Sequence, residues 1–256
     1  MRPPRVRAVL ERRILVNYRV EPDTLAAIVP RPFRPLLVDG YAIAGICLIR
    51  LSRIRPAGVP AAGLTSESAA HRIAVEWDAP DGPVTGVYIP RRDTSSWVTV
   101  LAGGRVFPGR HQLARFTVTE SGGQFRVRAQ SRDRAVGIYI DAHLSDRLMT
   151  GSVFGSMAEA DQFFRCAPVG YSATPTSGLF DGVELGCSGW NFQPLQVSEV
   201  ASSFFDDIKR FPVGSATLDS AFLISGLDTT WHPLPRLRVP AAAPSAPRTR
   251  SADVFQ

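Results

Sequence analysis

Segments with strand character recur in pairs along this sequence, and a short turn signal separates the two members of each pair. Asp39-Gly40 is one such signal, because this dipeptide suits the backbone of a two-residue hairpin turn. Strands joined in this way run antiparallel and need no crossover helix. The sequence therefore predicts a mainly β, mainly antiparallel barrel or sandwich. The predicted hairpins pair residues 35–38 with 41–51, 71–77 with 85–90 and 113–119 with 124–129.

The remaining predicted elements are mostly strands, with few helices. Two short helices are predicted, at residues 24–29 with Asp23 as the N-cap and at residues 156–164. Because strands and helices do not alternate, a parallel α/β sheet is not expected. Further strands are predicted at residues 13–20, 136–142, 179–185, 195–200 and 215–225. The inner contacts of the second helix are predicted to be Ala158, Phe163 and Phe164.

The composition is that of an ordinary globular protein. Hydrophobic residues make up 45% of the chain and charged residues 20%, which separates it from disordered sequences. No apolar run approaches the ~18 residues that cross a bilayer, and residues 1–13 lack the apolar stretch of a signal peptide. We therefore expect a cytoplasmic protein with no membrane partner. Residues 1–239 are expected to form one domain, followed by a disordered, Pro/Ala-rich tail at 240–256.

Charge and cysteine content argue against several binding partners. The net charge is +6, but the arginines are spread along the chain without a dense basic tract, so no nucleic-acid binding is expected. The cysteines Cys47, Cys166 and Cys187 are far apart and show no C-x-x-C spacing, which argues against a disulfide framework and a zinc site. No histidine-rich metal motif and no glycine-rich phosphate loop occurs, so we expect no metal and no cofactor.

Lysine is nearly absent, since Lys209 is the single lysine among 29 cationic residues. Imine chemistry needs an unprotonated primary amine beside a substrate carbonyl. Lys209 follows Asp206 and Asp207, whose carboxylates pair with an ammonium group and do not activate it. We therefore expect no catalytic role for this lysine.

Several segments between residues 12 and 235 resemble, in order and spacing, those of a known family. They read VDGYA at 38–42, LSRIRP at 51–56, HR at 71–72, GVYI at 86–89, LFDGV at 179–183, WNFQPL at 190–195 and RFPVGSATLDS at 210–220. The family is that of the YqjF-like proteins, an uncharacterised bacterial group in the acetoacetate decarboxylase-like superfamily. The resemblance implies an antiparallel β-cone with a central cavity, two or three short helices and frequent assembly into homo-oligomers. It implies no particular activity.

The chain departs from the namesake enzyme where that enzyme carries a lysine pair. The enzyme's Gly-Arg-Glu…Phe-Pro-Lys-Lys stretch corresponds to residues 104–111, so Gly109 and Arg110 stand where the two lysines would be. A guanidinium stays protonated and forms no imine, although it binds carboxylates well. We therefore expect Arg110 to be an anion contact and the imine chemistry to be lost.

Other polar residues in the matched segments are candidates for a pocket that takes an anionic or carbonyl-containing ligand. His111 is a candidate for proton transfer. Glu76 shares a strand face with Arg72, so it could pair with that arginine and act as a second acid or base. The candidate ligand-binding residues are Arg110, Arg105, Arg72, His71 and Tyr88.

Three functions are compatible with this sequence. The leading hypothesis is a protein that binds a small organic acid or keto-type metabolite without Schiff-base chemistry. The alternative is a lysine-independent lyase, isomerase or cyclase of a specialised-metabolite pathway, with His111 and Glu76 as general acid/base groups. A structural or assembly protein with a vestigial pocket is the third.

Overall fold

The computed structural model describes residues 5–59, 63–102, 109–165 and 169–239. Arg105, Cys166 and the tail after residue 239 lie outside the described residues, so the expectations for them stay predictions. The described part contains thirteen strands and three helices. The strands are β1 (Val6–Val20), β2 (Arg34–Pro35), β3 (Leu37–Val38), β4 (Tyr41–Pro56), β5 (Leu64–Ala79), β6 (Gly82–Thr94), β7 (His111–Ser121), β8 (Gln124–Ser131), β9 (Gly137–Leu144), β10 (Val169–Ala173), β11 (Leu179–Ser188), β12 (Phe192–Ser202) and β13 (Ala216–Arg238). The helices are α1 (Pro22–Ile28), α2 (Trp97–Ala102) and α3 (Met157–Arg165).

The predicted β fold is confirmed, and so are its three hairpins. β3 pairs with β4, β5 with β6, and β7 with β8, each antiparallel. The turn between β3 and β4 holds Asp39 at φ 48° and Gly40 at φ 81°, the left-handed backbone that an Asp-Gly turn provides. Two pairings are parallel, those of β6 with β7 and with β10. The fold is therefore mainly antiparallel with a mixed region around β6.

The strands close into two rings that share the run β13-β1-β4-β5-β6. The first ring is completed by β10 and β11, because β10 pairs with β6 and β11 pairs with β13. The second ring is completed by β7, β8, β9 and β12. Closing a sheet on itself removes exposed edges and encloses an interior, and here two interiors result.

The shared strands present one face to each interior, because successive strand residues point to opposite sides. Ile14, Ile46 and Ile73 are fully buried and belong to the main apolar core, together with Val127 and Ile140 from β8 and β9. Burying each of these side chains stabilises the fold by roughly 1.5–3 kcal/mol. The second ring is thus filled with side chains, whereas the opposite face of the shared strands lines an open space.

The helices differ in detail from the sequence-based prediction. The N-cap of α1 is Glu21, not Asp23, because Pro22 occupies the start of the helix and Asp23 lies within its first turn. In α3 the buried residues are Ala160 and Phe164, while Ala158 is exposed. Within the described ranges, no helix is both long and apolar enough to cross a membrane.

Candidate functional site

A cavity of about 260 Å³ lies inside the first ring, and each of the ring's seven strands contributes to its wall. α3 adds Phe164 and Arg165 at one side. Three arginines, Arg13, Arg72 and Arg92, enter a wall that is otherwise largely apolar. The apolar part consists of Ile49, Ala70, Val87, Ile89, Val183, Leu185 and Trp231. A small apolar chamber with a few convergent polar groups is the usual form of a ligand site.

Arg72 crosses from β5 over β4 to reach β1. Its Nη2 donates a hydrogen bond to Oδ1 of Asn17, and its Cζ lies 4.9 Å from the centre of the Phe164 ring. Gly45 on β4 is the residue paired with both Arg72 and Asn17, and a Cβ there would lie 3.2 Å from Asn17 Oδ1. A side chain at Gly45 would therefore crowd Asn17, the residue that accepts the hydrogen bond from Arg72.

Arg92 extends from β6 in the other direction, towards β10. Its Nε donates to Oγ of Ser172 at 3.1 Å. A Cβ added at Gly109 would lie 3.3 Å from that Nε, and one added at Gly170 would lie 3.9 Å from Nη2. The side chain is thus enclosed between two glycines, and its Nη2 is buried without a hydrogen-bond partner among the described residues.

Arg13 and Cys47 form the third polar group of the wall. Nε of Arg13 donates to Sγ of Cys47 at 3.2 Å, and Cys47 is 3% exposed. Cys47 also acts electrostatically on both Arg72 and Arg92. The thiol of Cys47 is therefore within electrostatic reach of all three guanidiniums.

Two arginines of the cavity wall, Arg72 and Arg92, carry charges that no described carboxylate neutralises by a salt bridge. Burial is the main cause that lowers the pKa of Arg72 and of Arg92 to about 10, so both remain cationic at neutral pH. Nε of Arg72, like Nη2 of Arg92, is buried and has no hydrogen-bond partner in the part of the chain that the structure describes. No carboxylate in the described ranges forms a salt bridge with either residue; the nearest acidic influence on Arg92 is Asp181, which pairs with Arg236 at 2.8 Å.

Another buried arginine of the same molecule is paired with carboxylates, as buried charges usually are. Arg12 is 2% exposed and forms salt bridges with Glu67 and Glu120, and Arg50 joins the same pair of carboxylates. Buried charges in proteins are normally paired in this way, because an unpaired one loses its hydration without compensation. Arg72 and Arg92 depart from that rule and face a cavity, which indicates a site for an anion.

α3 and Trp190 supply the part of the cavity lining that includes the exposed Arg165 side chain. The Arg165 side chain is 53% exposed, donates to Oδ2 of Asp161 at 2.9 Å and lies 5.0 Å from the centre of the Trp190 ring. Trp190 Nε1 in turn donates to Oδ1 of Asp161. Arg165 lines the cavity while reaching solvent, so it marks the side from which a charged ligand can enter.

A smaller cavity of about 70 Å³ adjoins the first and shares Arg92 with it. Its polar lining includes Asp93, Thr99 and His111. The pKa of His111 is lowered to about 3, mainly by burial and further by the charge of Arg92. His111 is therefore a neutral imidazole at physiological pH, next to one of the two unpaired guanidiniums.

The predicted site residues do not all lie in one cavity. Arg72 lines the main cavity and His111 the adjoining one. Arg110 is exposed and is not among the residues that line either cavity. Glu76 is directed to Arg34, whose Nε lies 3.4 Å from its carboxylate, and not to Arg72.

Two further predicted residues face the main core, on the opposite side of the shared strands. His71 stacks on Phe204 with ring centres 4.4 Å apart, and its Nε2 lies 3.5 Å from Oγ of Ser202. Tyr88 packs against Phe33 in the apolar core. Of these neighbouring residues, His71 therefore faces the filled core and Arg72 faces the cavity.

The most important site residue that the sequence analysis missed is Arg92. The predicted strand ends at Pro90, two residues before Arg92. In the structure β6 continues to Thr94 and therefore includes Arg92. The pairing of β5 with β6 also shifts between His71 and Ile73, and this irregularity changes which β6 residues face the cavity. A pair of arginines directly after a strand was the available signal. Arg13 and Cys47 carry no local signal of a site.

Comparisons with known proteins agree with this fold. A family model named DUF2071, described as an uncharacterized conserved protein, matches residues 7–163, which is more than half of the chain. No curated protein matches the sequence. Between the described residues, no group of three His, Cys, Asp or Glu side chains is placed to hold a metal ion.

Solved structures with the same architecture include decarboxylases and related enzymes. Acetoacetate decarboxylase from Legionella pneumophila superposes with a TM-score of 0.58 at 13% identity, over 92% of this chain and 88% of that one. An acetoacetate decarboxylase-like enzyme from Sphingomonas wittichii RW1 gives 0.56 at 11% identity, over 93% of each chain. The enduracididine biosynthesis enzyme MppR, complexed with pyruvate, gives 0.53 at 14% identity, over 91% and 89%. These likenesses confirm the predicted acetoacetate decarboxylase-like fold, and at such identities they show the fold alone.

Proposed function

Because this chain belongs to the DUF2071 family and has an acetoacetate decarboxylase-like fold, we propose that its cavity binds a small organic acid through Arg72 and Arg92. The ligand is an organic acid or keto-type metabolite that enters past Arg165, and it is bound without Schiff-base chemistry. This function deepens the sequence-based hypothesis but moves the anion contact from Arg110 to the two cavity arginines.

The observation that carries the proposal is a pair of cavity guanidiniums, of Arg72, which is buried, and of Arg92, which is half-buried. Each has one buried nitrogen without a hydrogen-bond partner among the described residues, and no described carboxylate forms a salt bridge with either. Burying an ion without a partner costs several kcal/mol, which folding here does not offset within the described part of the chain. Carboxylates accept bifurcated or paired N–H donors from arginine, and such charge-assisted bonds are stronger than neutral ones. A bound carboxylate would supply both the missing countercharge and the missing acceptors.

Two features support binding without an imine. Lys209, the single lysine of the sequence, is exposed and is not among the residues that line the cavities. The position corresponding to a lysine of the namesake enzyme is Gly109, and the space beside it is filled by Ser172 and Arg92. An amine at that position would meet a guanidinium where the namesake chemistry requires a substrate carbonyl.

A second candidate function, a lysine-independent lyase, isomerase or cyclase, is favoured by one observation. His111 lines the cavity that adjoins the main one, and burial together with Arg92 lowers its pKa to about 3. A neutral imidazole is in the protonation state that a general base needs, although a pKa of about 3 makes it a weak base. A bound carboxylate that neutralises Arg92 would remove one of the two causes that lower this pKa. Glu76 is less suited to this role, because it faces Arg34 outside both cavities.

Thermal-shift measurements with carboxylic acids and their uncharged amides test the proposed function. At a ligand concentration about 100 times Kd, an acid that binds the native state should raise Tm by about 5–10 °C, whereas its amide should not. Arg92→Met should reduce this shift at the same ligand concentration. Arg110→Met and Arg115→Met, which alter exposed residues, are the matched controls and should preserve it. Equal shifts from acids and amides, no shift from a broad panel of 2-oxo and aromatic acids, or loss of the shift in Arg110→Met alone would overturn the proposal.

A further inference from the structure

We infer that the ligand of this cavity is a dicarboxylate, with one carboxylate bound by Arg72 and Arg13 and the other by Arg92. The inference rests on the proposed function and adds the number and placement of the charges that the ligand carries. It follows from where the two deepest guanidiniums are anchored in the ring.

The anchors of Arg72 and Arg92 lie on nearly opposite sides of the first ring. Arg72 is held by Asn17 on β1, and Arg92 is held by Ser172 on β10. Around the seven-stranded ring, β1 and β10 are separated by β4, β5 and β6 on one side and by β11 and β13 on the other. Neighbouring strands are about 4.8 Å apart, so the two anchors hold the guanidiniums towards different walls of the ring. This arrangement favours two separate carboxylates over one that both arginines share.

Glycines direct this divergence. Gly45 has no side chain that would crowd Asn17, the partner of Arg72, and Gly109 and Gly170 leave the space that Arg92 takes on its way to Ser172. Each guanidinium is therefore placed by the surrounding backbone, not by a neighbouring acid. Two separate sets of N–H donors are therefore in place before a ligand binds. Such preorganisation lowers the cost of binding a ligand that has a carboxylate at each end.

The two positions differ in charge. Arg13 lies close enough to Arg72 for its charge to lower the pKa of Arg72, so one end of the cavity holds two guanidiniums. Arg92 forms the other end, with Asp181 as a more distant acidic influence. Between them, Cys47 is coupled electrostatically to both ends. A monocarboxylate held at one end would neutralise one of the two guanidiniums and leave the other without a countercharge, whereas a dicarboxylate neutralises both.

The hydrophobic wall between the charged ends suits the carbon chain of such a ligand. Ala70 on β5 is paired with both Cys47 on β4 and Arg92 on β6, and it lines the cavity with Ile49 and Ile89. Methylene groups that bridge two carboxylates would lie against these side chains. The cavity thus has an apolar wall in the middle and a guanidinium at each end. This arrangement favours an aliphatic dicarboxylate over a diphosphate or another dianion that is polar along its whole length.

Isothermal titration calorimetry with pairs of acids of equal carbon number tests the inference. The dicarboxylates are malonate, succinate, glutarate and adipate, with 2-oxoglutarate added, and each is compared with the monocarboxylate of the same length. At least one dicarboxylate should bind roughly tenfold or more tightly than its partner, as expected for one additional charge-assisted contact. Arg92→Met should reduce the affinity for that dicarboxylate to the level of the monocarboxylate. Arg115→Met, an exposed substitution, should leave the preference unchanged.

The outcomes separate this inference from the proposed function. If monocarboxylates and dicarboxylates bind equally well and Arg92→Met or Arg72→Met weakens both, the cavity is an acid site for one carboxylate and the inference is overturned while the proposed function stands. If no acid of either series binds, both are overturned. Circular dichroism of each variant before titration ensures that a lost signal reflects the binding site and not a lost fold.

Discussion

The backbone of Gly109 lies against the side chain of Arg92, so closely that a Cβ at residue 109 would be 3.3 Å from Nε and 2.9 Å from Cβ of Ser172. Gly109 is thus part of the packing that positions a cavity arginine. Gly109 also has a φ of 84°, which L-residues with side chains rarely adopt. Both the space and the backbone conformation at residue 109 therefore suit glycine.

Substituting Gly109 by alanine should disturb Arg92 as well as the backbone. Gly214 has the same φ of 84° but open space around its missing side chain, so Gly214→Ala serves as the matched control for backbone strain of about 1–2 kcal/mol. Gly109→Ala should lower the free energy of unfolding by a further ~1–3 kcal/mol, because it adds crowding at Ser172. Urea denaturation measures both, and equal losses in the two variants would show that the contact with Arg92 and Ser172 does not matter.

Removing the buried charge at residue 92 should not destabilise the ligand-free protein. Replacing unpaired or poorly compensated buried charges by apolar residues of similar size is often neutral or stabilising by about 1–4 kcal/mol. We therefore expect Arg92→Met to unfold at an equal or higher urea concentration than the wild type. Arg12→Met is the contrasting variant, since it leaves Glu67 and Glu120 without a partner they now have, and it should lose about 1–3 kcal/mol. A clear loss of stability in Arg92→Met without ligand would contradict the account of an uncompensated charge.

Acid should destabilise the fold through its buried histidines. Burial is the main cause that lowers the pKa of His71 and of His111 to about 3, while in the unfolded chain a histidine titrates near 6.5. Between these values the unfolded state binds more protons than the native state, so stability is full above about pH 6.5 and is lost as the pH falls towards 3. His71 alone should contribute on the order of 4 kcal/mol to this loss.

The variant His71→Phe tests that contribution, because it preserves the stacking on Phe204 and cannot bind a proton. Its unfolding free energy should fall less steeply than that of the wild type between pH 6.5 and 4. His143, which is exposed on β9, provides the control substitution His143→Phe. Parallel pH profiles for wild type and His71→Phe would show that His71 is not the group responsible.

Borohydride trapping should give no adduct on the protein's lysine. Incubation with a β-keto acid followed by reduction labels an amine that has formed an imine, and Lys209 is exposed and remote from the cavity lining. Mass spectrometry of digested protein should therefore show unmodified Lys209, in the wild type and in Arg92→Met alike. A stoichiometric adduct on Lys209 that competes with carboxylic acids would revive imine chemistry.

The hairpins were predictable because turn-forming residues join their strands. The elements that the sequence analysis missed lack such a local signal. The Asp39-Gly40 and Gly122-Gly123 turns adopt positive φ values, as those residue types favour. β10 (Val169–Ala173) carries no such signal, because it joins the sheet partly by a parallel pairing with β6. α2 (Trp97–Ala102) leaves Trp97 64% exposed and Leu101 73% exposed, so its apolar residues do not follow the inside–outside pattern on which helix prediction depends.

The site was predictable only in part, because residues on one strand face two different interiors. Alternation correctly separates Arg72 from His71, but it cannot tell which of the two faces is the cavity and which is the filled core. Glu76 shares a face with Arg72, yet it lies where β5 pairs with β2 and contacts Arg34. Arg92 depends on a pairing irregularity between β5 and β6, which arises from the three-dimensional register and leaves no periodic trace in the sequence.

Nitrogen-15 NMR of the arginine side chains, with the dicarboxylate that binds most tightly, tests the central claim most directly. Nε–Hε signals of Arg72 and Arg92 are assigned by comparing the wild type with Arg72→Met and Arg92→Met. On addition of ligand, both signals should shift, because each guanidinium gains a carboxylate acceptor, while the signal of the exposed Arg110 stays in place. Unchanged Arg72 and Arg92 signals under saturating ligand, or a shift confined to Arg110, would contradict the claim that the two buried guanidiniums form the binding site.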